Sequence, residues 1–346
     1  MIDYNKLIFA ISLTLAIQIT LYLFIIFLKN KGIKSSYFAK QKIHEGEVPR
    51  VGGLLFFSSF FISHFFIETN YNSLIIPLLI GSLIIFIFSF YEDLKQSLSP
   101  YFRLIILFMG SFIFVSFTDL PEINISILKI TKKYELITIF LFVFSLMLLM
   151  NGFNFIDGLN GLSSFNFLSI ISNVFYIGLF YNDYVIVNLS IFIFFVSLFV
   201  LFLNFPFGKV FLGDSGSYIY ALFSGALIIY LFERQNQLPT LLAMVILAYP
   251  ITELLFSIFR KLYFKHSPMK PDINHLHHLI FKKLRGNIKV RNNLASLMML
   301  PYCVLPFLFT YISVNYILDY NFYKFTLYFI CYFFSYVYFS KSLNEL

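Results

Sequence analysis

Long apolar runs alternate with short polar islands along this chain. The runs near 7–28, 51–67, 73–91, 103–118, 135–151, 162–181, 184–203, 218–232, 239–259, 294–315 and 323–340 approach helix-spanning length. A helix needs roughly 20 apolar residues, range about 17–25, to cross the hydrocarbon core of a bilayer. Lipid offers no partner to a backbone N–H or C=O, so such spans are helical. The pattern predicts an all-α integral membrane protein, a polytopic bundle of about eleven transmembrane helices. The turn at Asn182–Asp183, between two runs, is very short.

Composition agrees with this reading. The chain is 59% hydrophobic and only 12% charged, against roughly 25% charged residues in soluble domains. A water-soluble core is excluded. No internal repeat is evident, and the longest non-spanning segment, 260–293, is too short for a separate domain. Residues 1–346 therefore read as a single polytopic membrane domain. The first apolar run lacks a small-residue cleavage site and reads as a retained span. Cys303 and Cys331 lie in apolar runs; two isolated cysteines build neither a disulfide framework nor a metal site and read as buried membrane thiols.

Charge then orients the bundle. If each run crosses once, segments 29–50, 92–102, 152–161, 204–217 and 260–293 share one side. Eighteen Lys and Arg fall in or beside those segments, against five at Lys129, Lys132, Lys133, Arg234 and Lys324 on the other. Positive charge stays inside, which places the polar islands in the cytoplasm. The net charge of +8 is thus a topology signal that also suits anionic phosphates. Nothing points to nucleic acid.

The islands carry the candidate chemistry. Glu92 and Asp93 end the third run and precede Lys95. Adjacent helical side chains diverge by about 100°, so both cannot serve one cation. The pair reads equally as a solvated helix end with local Glu–Lys pairing. Asn151, Asn154 and Asp157 are spaced by three and share a helical face, followed by Gly158, Asn160 and Gly161. That stripe serves either a ligand or a helix-packing network. Asn204, Lys209 and Asp214 occupy a loop before another run. Asp214 and the serines after it suit helix capping, or Asp214 serves as a Mg²⁺ ligand, since Mg²⁺ takes one or two carboxylates plus phosphates and water. His275, His277 and His278 follow Arg260, Lys261, Lys265 and Lys270. His275 and His278 can share a helix face, and histidines beside cations suit a diphosphate. No cysteine completes a zinc site there. His64, within an apolar run, reads as a buried histidine.

Taken in order, these segments resemble the polyprenyl-phosphate N-acetylhexosamine-1-phosphate transferases, glycosyltransferase family 4. HEGEVPRVGG (His44–Gly53), YEDLK (Tyr91–Lys95), NGFNFIDGLNGL (Asn151–Leu162), NFPFGKVFLGDSGS (Asn204–Ser217) and SPMKPDINHLHHLI (Ser267–Ile280) are similar to its motifs. The histidine segment resembles the undecaprenyl-phosphate GlcNAc-1-phosphate branch, lacking the three consecutive histidines of the muramoyl-pentapeptide branch.

The resemblance implies transfer of an N-acetylhexosamine-1-phosphate, by default from UDP-GlcNAc, to undecaprenyl phosphate, with release of UMP. It implies a bacterial cytoplasmic (inner) membrane location. It also implies a product that begins O-antigen, capsule, teichoic-acid or enterobacterial-type polysaccharide assembly. Mg²⁺, or Mn²⁺ in its place, is the implied cofactor. Asp214 is the implied metal ligand, with Asp93 near the metal or lipid phosphate and Glu92, Asp93 and Asp157 as catalytic carboxylates. Lys95, Asn151, Asn154, Asn160, Asn204, His275, His277 and His278 are the implied substrate-binding set. The implied partners are undecaprenyl phosphate, a UDP-N-acetylhexosamine and the lipid bilayer; a homodimer stays open.

Two positions depart from the family pattern. Glu92 stands where an aspartate is usual, and Asn160 where a second aspartate is usual. Asn160→Asp is accordingly expected to be tolerated or activating. The competing readings are a membrane transporter or lipid flippase, and an inactive homologue.

Overall fold

The computed structural model describes residues 4–30, 38–39, 48–66, 72–125, 128–130, 135–265, 274–316 and 322–345. The start of the first motif, His44–Glu47, and most of the segment before the histidines, including Lys270, lie outside the described residues. Among the described residues the chain forms α1 (Tyr4–Asn30), β1 (Phe38–Ala39), β2 (Val48–Pro49), α2 (Gly52–Ser63), α3 (Asn72–Lys95) and α4 (Pro100–Ser116). It continues through β3 (Ile123–Ile125), β4 (Leu128–Ile130), α5 (Glu135–Ile156), α6 (Leu162–Phe180), α7 (Tyr184–Asn204) and α8 (Gly213–Arg234). The last third holds α9 (Leu241–Ile246), α10 (Ala248–Tyr263), α11 (Leu276–Lys283), α12 (Ile288–Tyr316) and α13 (Phe322–Glu345). The strands form two small antiparallel pairs, β1 with β2 and β3 with β4.

Among the described residues seven helices are long and apolar enough to cross a bilayer: Tyr4–Leu28, Ser73–Lys95, Leu136–Ile156, Leu162–Phe180, Tyr184–Asn204, Gly213–Arg234 and Ile288–Asn315. The architecture is an all-α polytopic membrane bundle. The runs at 51–67 and 103–118 form shorter apolar helices, Gly52–Phe66 and Pro100–Ser116. The run at 239–259 is broken: α9 stops at Ile246 and α10 begins at Ala248. Pro250 supplies the reason, because its ring would meet the carbonyl four residues back in a continuous helix. The last run is the single helix α13, tyrosine-rich and outside the set of seven.

Local signals set several ends. Ser99 caps α4 by accepting from Phe102 N at 3.3 Å, with Pro100 in the first turn. Asp183 caps α7 and resolves the short turn into two helices; Arg234 Nε reaches it at 2.6 Å, tying α7 to the far end of α8. The centre of the bundle is α8, whose spanning stretch is buried throughout. It packs against α2, α3, α5 and α6. By contrast α1 lies at the edge, against α2 and α7. His64 is buried, as the sequence suggested. Of the two cysteines only Cys303 is buried; Cys331 faces outward from α13, because α13 carries one face on the bundle and leaves the other to the lipid.

Candidate functional site

One end of α8 organises the site. Gly213 has φ +77°, and a Cβ there would sit 2.7 Å from Asp93 Oδ1, so only glycine permits this turn. The turn delivers the first N–H groups of α8 to Asp93. Asp214 N donates to Asp93 Oδ1 at 2.8 Å, and Ser215 N and Oγ donate to Asp93 Oδ2 at 2.9 and 2.6 Å. The capping carboxylate therefore comes from α3, not from Asp214 and the serines beside it. A cap of this kind contributes about 1 kcal/mol, and a carboxylate also suits the positive end of the helix dipole. The first turn of α2 joins the same turn: Gly52 N donates to Phe211 O at 2.9 Å and Gly53 N to Leu212 O at 3.1 Å.

With Asp93 occupied, the adjacent acids diverge as their helical spacing requires. Glu92 is buried, accepts from Leu98 N at 2.7 Å through Oε2, and pairs through Oε1 with Arg103 Nη2. Arg103 Nη1 also donates to Asp214 Oδ2 at 3.0 Å. Asn154 Nδ2 reaches Asp214 Oδ1 at 3.1 Å. Asp214 is thus spared capping duty and held, partly exposed, between an arginine and an amide. Lys95 and Lys209 are exposed and lie outside the cavity lining.

That lining encloses about 790 Å³. It draws on every polar island: Arg50, Arg103, Asn154, Asp157, Asp214 and Lys261 carry its polar wall, with Asn151, Asn160, Asn204, His275 and His278. Leu104, Leu107 and Leu148 make part of it apolar. Asp157 lies just past the end of α5, so the helical stripe of Asn151 and Asn154 stops one residue short of it. Burial, then the negative charges of Asp214 and Asp93, push the Asp157 carboxyl well above its usual value; Arg50 and the Gly213 amide oppose this.

The amides mostly hold backbone. Asn204 Oδ1 accepts from Gly161 N, and Asn204 Nδ2 donates to Val210 O at 2.7 Å. Asn160 N donates to Asn292 Oδ1 at 2.8 Å, and its Nδ2 to Asn293 Oδ1 at 3.3 Å. Asn151 Nδ2 donates to Met147 O at 2.8 Å. These bonds fix the α5–α6 turn against α7 and α12.

The histidines separate into two roles. His275 and His278 line the cavity, whereas His277 is fully buried behind them and outside the lining. Burial, with the neighbouring His278 and His275, holds the His277 imidazole well below its usual value and hence neutral. A Cβ on Gly158 would lie 2.6 Å from His277 Nε2, so the α5–α6 turn presses directly on the histidine helix.

Whether these residues suit a divalent cation can be judged from the donor set. Among the described residues no group of three or more His, Cys, Asp and Glu is arranged to hold a metal ion. A protein-only cage is therefore absent there, and Asp93, outside the cavity lining with both oxygens engaged, is a poor ligand. Asp157 and Asp214 remain, two carboxylates that share a cavity and repel one another. That is the sparse donor set Mg²⁺ accepts when phosphates and water complete its shell.

Sequence reasoning missed four contributors. Arg50, inside the first motif, and Arg103, after the second, read in the sequence only as positive-inside charge. Arg50 Nε is buried with no partner among the described residues. Lys261, buried against the Phe155 ring at 5.4 Å, was seen only as one of several cations. Glu253 was absorbed into an apolar run, although an acid inside a span is itself a signal. It lies 2.6 Å from His275 Nδ1.

Comparison with known proteins covers the segments around Asp93, Asp157 and Asp214. Residues 75–232 match the family model described as glycosyl transferase family 4. The chain is 28% identical over 247 residues to a probable undecaprenyl-phosphate N-acetylglucosaminyl 1-phosphate transferase of Bacillus subtilis (strain 168), covering 69% of this chain and 67% of that protein. It is 29% identical over 244 residues to an undecaprenyl-phosphate alpha-N-acetylglucosaminyl 1-phosphate transferase of Thermotoga maritima, covering 70% of this chain and 72% of that protein.

Proposed function

From the match to glycosyl transferase family 4 and to two bacterial relatives we propose that this chain is a member of that family and transfers an N-acetylhexosamine-1-phosphate from a UDP-sugar to undecaprenyl phosphate. N-acetylglucosamine is the default sugar, by likeness to the two bacterial relatives. The observation that carries this reading is the single cavity in which Arg50, Arg103, Lys261 and two histidines face Asp157 and Asp214. Cations alone would suit any anion. Cations with a repelling carboxylate pair suit a diphosphate that arrives with a divalent ion.

In this scheme an oxygen of the lipid phosphate attacks the sugar-bearing phosphorus. The diphosphate P–O bond breaks, and its electron pair leaves with UMP. Asp157 and Asp214 would hold Mg²⁺, which neutralises diphosphate charge when bound. Arg103 is held in place by Glu92 and meets developing phosphate charge without reorganising. Arg50 and Lys261 add fixed positive charge at the cavity wall. The amide bonds of Asn160 and Asn204 keep the loops of the site in register. The distribution of Lys and Arg supports a cytoplasmic opening, where a nucleotide sugar is available. The product would begin a lipid-linked cell-surface polysaccharide.

The test incubates purified protein with a panel of UDP-sugars. UMP should appear only when undecaprenyl phosphate and Mg²⁺ are both present, and for one N-acetylhexosamine above the others. UMP release without the lipid acceptor, or none with any sugar, would refute the assignment.

A further inference from the structure

One buried carboxylate stands behind the histidines and takes no part in the scheme above. Glu253 lies within α10 and is fully buried. An ionised carboxylate there is strongly disfavoured unless its oxygens are satisfied. Both are engaged. His275 Nδ1 lies 2.6 Å from Oε1, and the Tyr336 hydroxyl donates to Oε2. Tyr336, fully buried on α13, also accepts from Leu276 N at 3.1 Å. One phenol thus ties the start of α11 to the carboxylate of α10. All three residues fall outside the 75–232 family match.

The geometry distinguishes two neighbouring histidines. An ionised carboxylate only accepts, so the nitrogen facing it carries a proton. That assigns N–H to His275 Nδ1 and leaves Nε2 as the nitrogen for a ligand in the cavity that His275 lines. His277 has no such definition: neither ring nitrogen has a hydrogen-bond partner among the described residues, and its Nδ1 is 4.0 Å from Glu253 Oε2.

We propose that Glu253, backed by Tyr336, is a positioning residue that selects His275 as the working histidine and presents its Nε2 to the diphosphate. This rests on the reading of the cavity as a diphosphate-transfer site. A phosphate oxygen needs a donor, so the substrate-bound ring carries a proton on both nitrogens. Its charge then lies between the Glu253 carboxylate and the phosphate, and the Nε2–H bond is charge-assisted at both ends. Without Glu253 the ring can turn or change tautomer, and the donor is no longer fixed.

The experiment combines kinetics with ¹⁵N NMR of histidine-labelled protein in bilayers, using His275→Asn to assign the ring. Glu253→Gln keeps the shape of the side chain but can face the ring with either end of its amide. It should release the Nδ1-protonated signature of His275 and lower kcat roughly 10–100-fold, the usual effect of losing such an outer partner. KM for the UDP-sugar should stay within about threefold. Tyr336→Phe should lower kcat less, by roughly 3–10-fold, about one hydrogen bond. Unchanged His275 signals and kcat in Glu253→Gln would overturn the proposal. So would a fall in kcat matched by a large fall in melting temperature with the His275 tautomer intact, because that marks a merely structural role. If Glu253→Gln does not insert, Tyr336→Phe decides by the same readouts. A wild-type protein that makes no lipid product would refute the transfer reaction itself, whereas the ring signals would still decide whether Glu253 sets His275.

Discussion

In the cavity lining Asp214 is partly exposed and shares Arg103 with Glu92, whereas His275, in the same lining, is largely buried against the fully buried Glu253. The first arrangement leaves charge unresolved. Asp157, Asp214 and Asp93 lie close enough that the negative fields of the other two raise the Asp157 carboxyl. The second is complete within the protein, with donors matched to both oxygens of Glu253. An open, repelling carboxylate set suits a group that comes and goes, while a closed pair suits a group whose direction must not change. Exchange and positioning are therefore assigned to different residues of one pocket.

Substitutions can break this contrast, and the largest effect is expected in the open set. Asp214→Asn removes half of the carboxylate pair yet leaves the Asp93 cap of α8 in place, because that cap uses the Asp214 backbone. Turnover should fall by at least about 10³-fold with normal membrane insertion, on the scale of losing a principal electrostatic element. Arg103→Ala should cost somewhat less, roughly 10²-fold in kcat. Among the described residues it also leaves the Glu92 carboxylate with the Leu98 amide alone, so its melting temperature should drop as well.

A pH measurement sharpens the same contrast. The folded Asp157 carboxyl is raised above its unfolded value, so the folded state holds this proton more tightly. The associated stability is fully present below the unfolded value, about 3.9, and is lost as pH rises through the folded one. Without divalent cation, melting temperature should fall across that window. Mg²⁺ should restore part of it on the alkaline side, and Asp157→Asn should flatten the profile. A wild-type profile identical to that of Asp157→Asn would contradict the coupling.

Smaller effects are expected where amides only hold loops. Asn160→Asp was expected from sequence to be tolerated or activating. The Asn160 Nδ2 donor faces Asn293 Oδ1, and Asn293 Nδ2 in turn donates to Pro206 O at 2.9 Å. A carboxylate at 160 would oppose the Asn293 oxygen unless Asn293 turned and gave up Pro206. Stability should fall by about 1 kcal/mol with kcat changed only a few-fold, measured by thermal melting beside steady-state turnover. Lys95→Ala, at an exposed position outside the lining, should leave turnover near wild type.

What could be read from sequence follows the same division. The open set announces itself, because Glu92, Asp93, Asp157 and Asp214 interrupt apolar runs at helix ends where charge is conspicuous. Their partners were less visible. Nothing in the spacing of Asp93 and Asp214 tells that one caps the helix bearing the other; the turn at Gly213 decides it. The closed pair was half legible. The histidines stood out, but Glu253 sat inside a run taken as one span, and Tyr336 was one tyrosine among 24. The span at 239–259 was missed as a break because hydropathy does not register the geometric effect of Pro250. Burial was also hard to foresee: α8, rich in Gly and Ser, is the helix the others enclose, while the more uniformly apolar α1 has 11% of its span buried. In lipid, apolar side chains gain little by leaving the solvent.

The central claim is that the carboxylates of this cavity drive transfer of a phosphosugar to a lipid. Wild-type protein and Asp214→Asn, reconstituted in the same bilayers with undecaprenyl phosphate, UDP-GlcNAc and Mg²⁺, would be compared by the mass of the extracted lipid. Wild type should yield the diphosphate-linked N-acetylhexosamine lipid with one UMP per product, and Asp214→Asn should yield almost none. Equal product from both, or movement of UDP-sugar across the bilayer with no UMP formed, would contradict it.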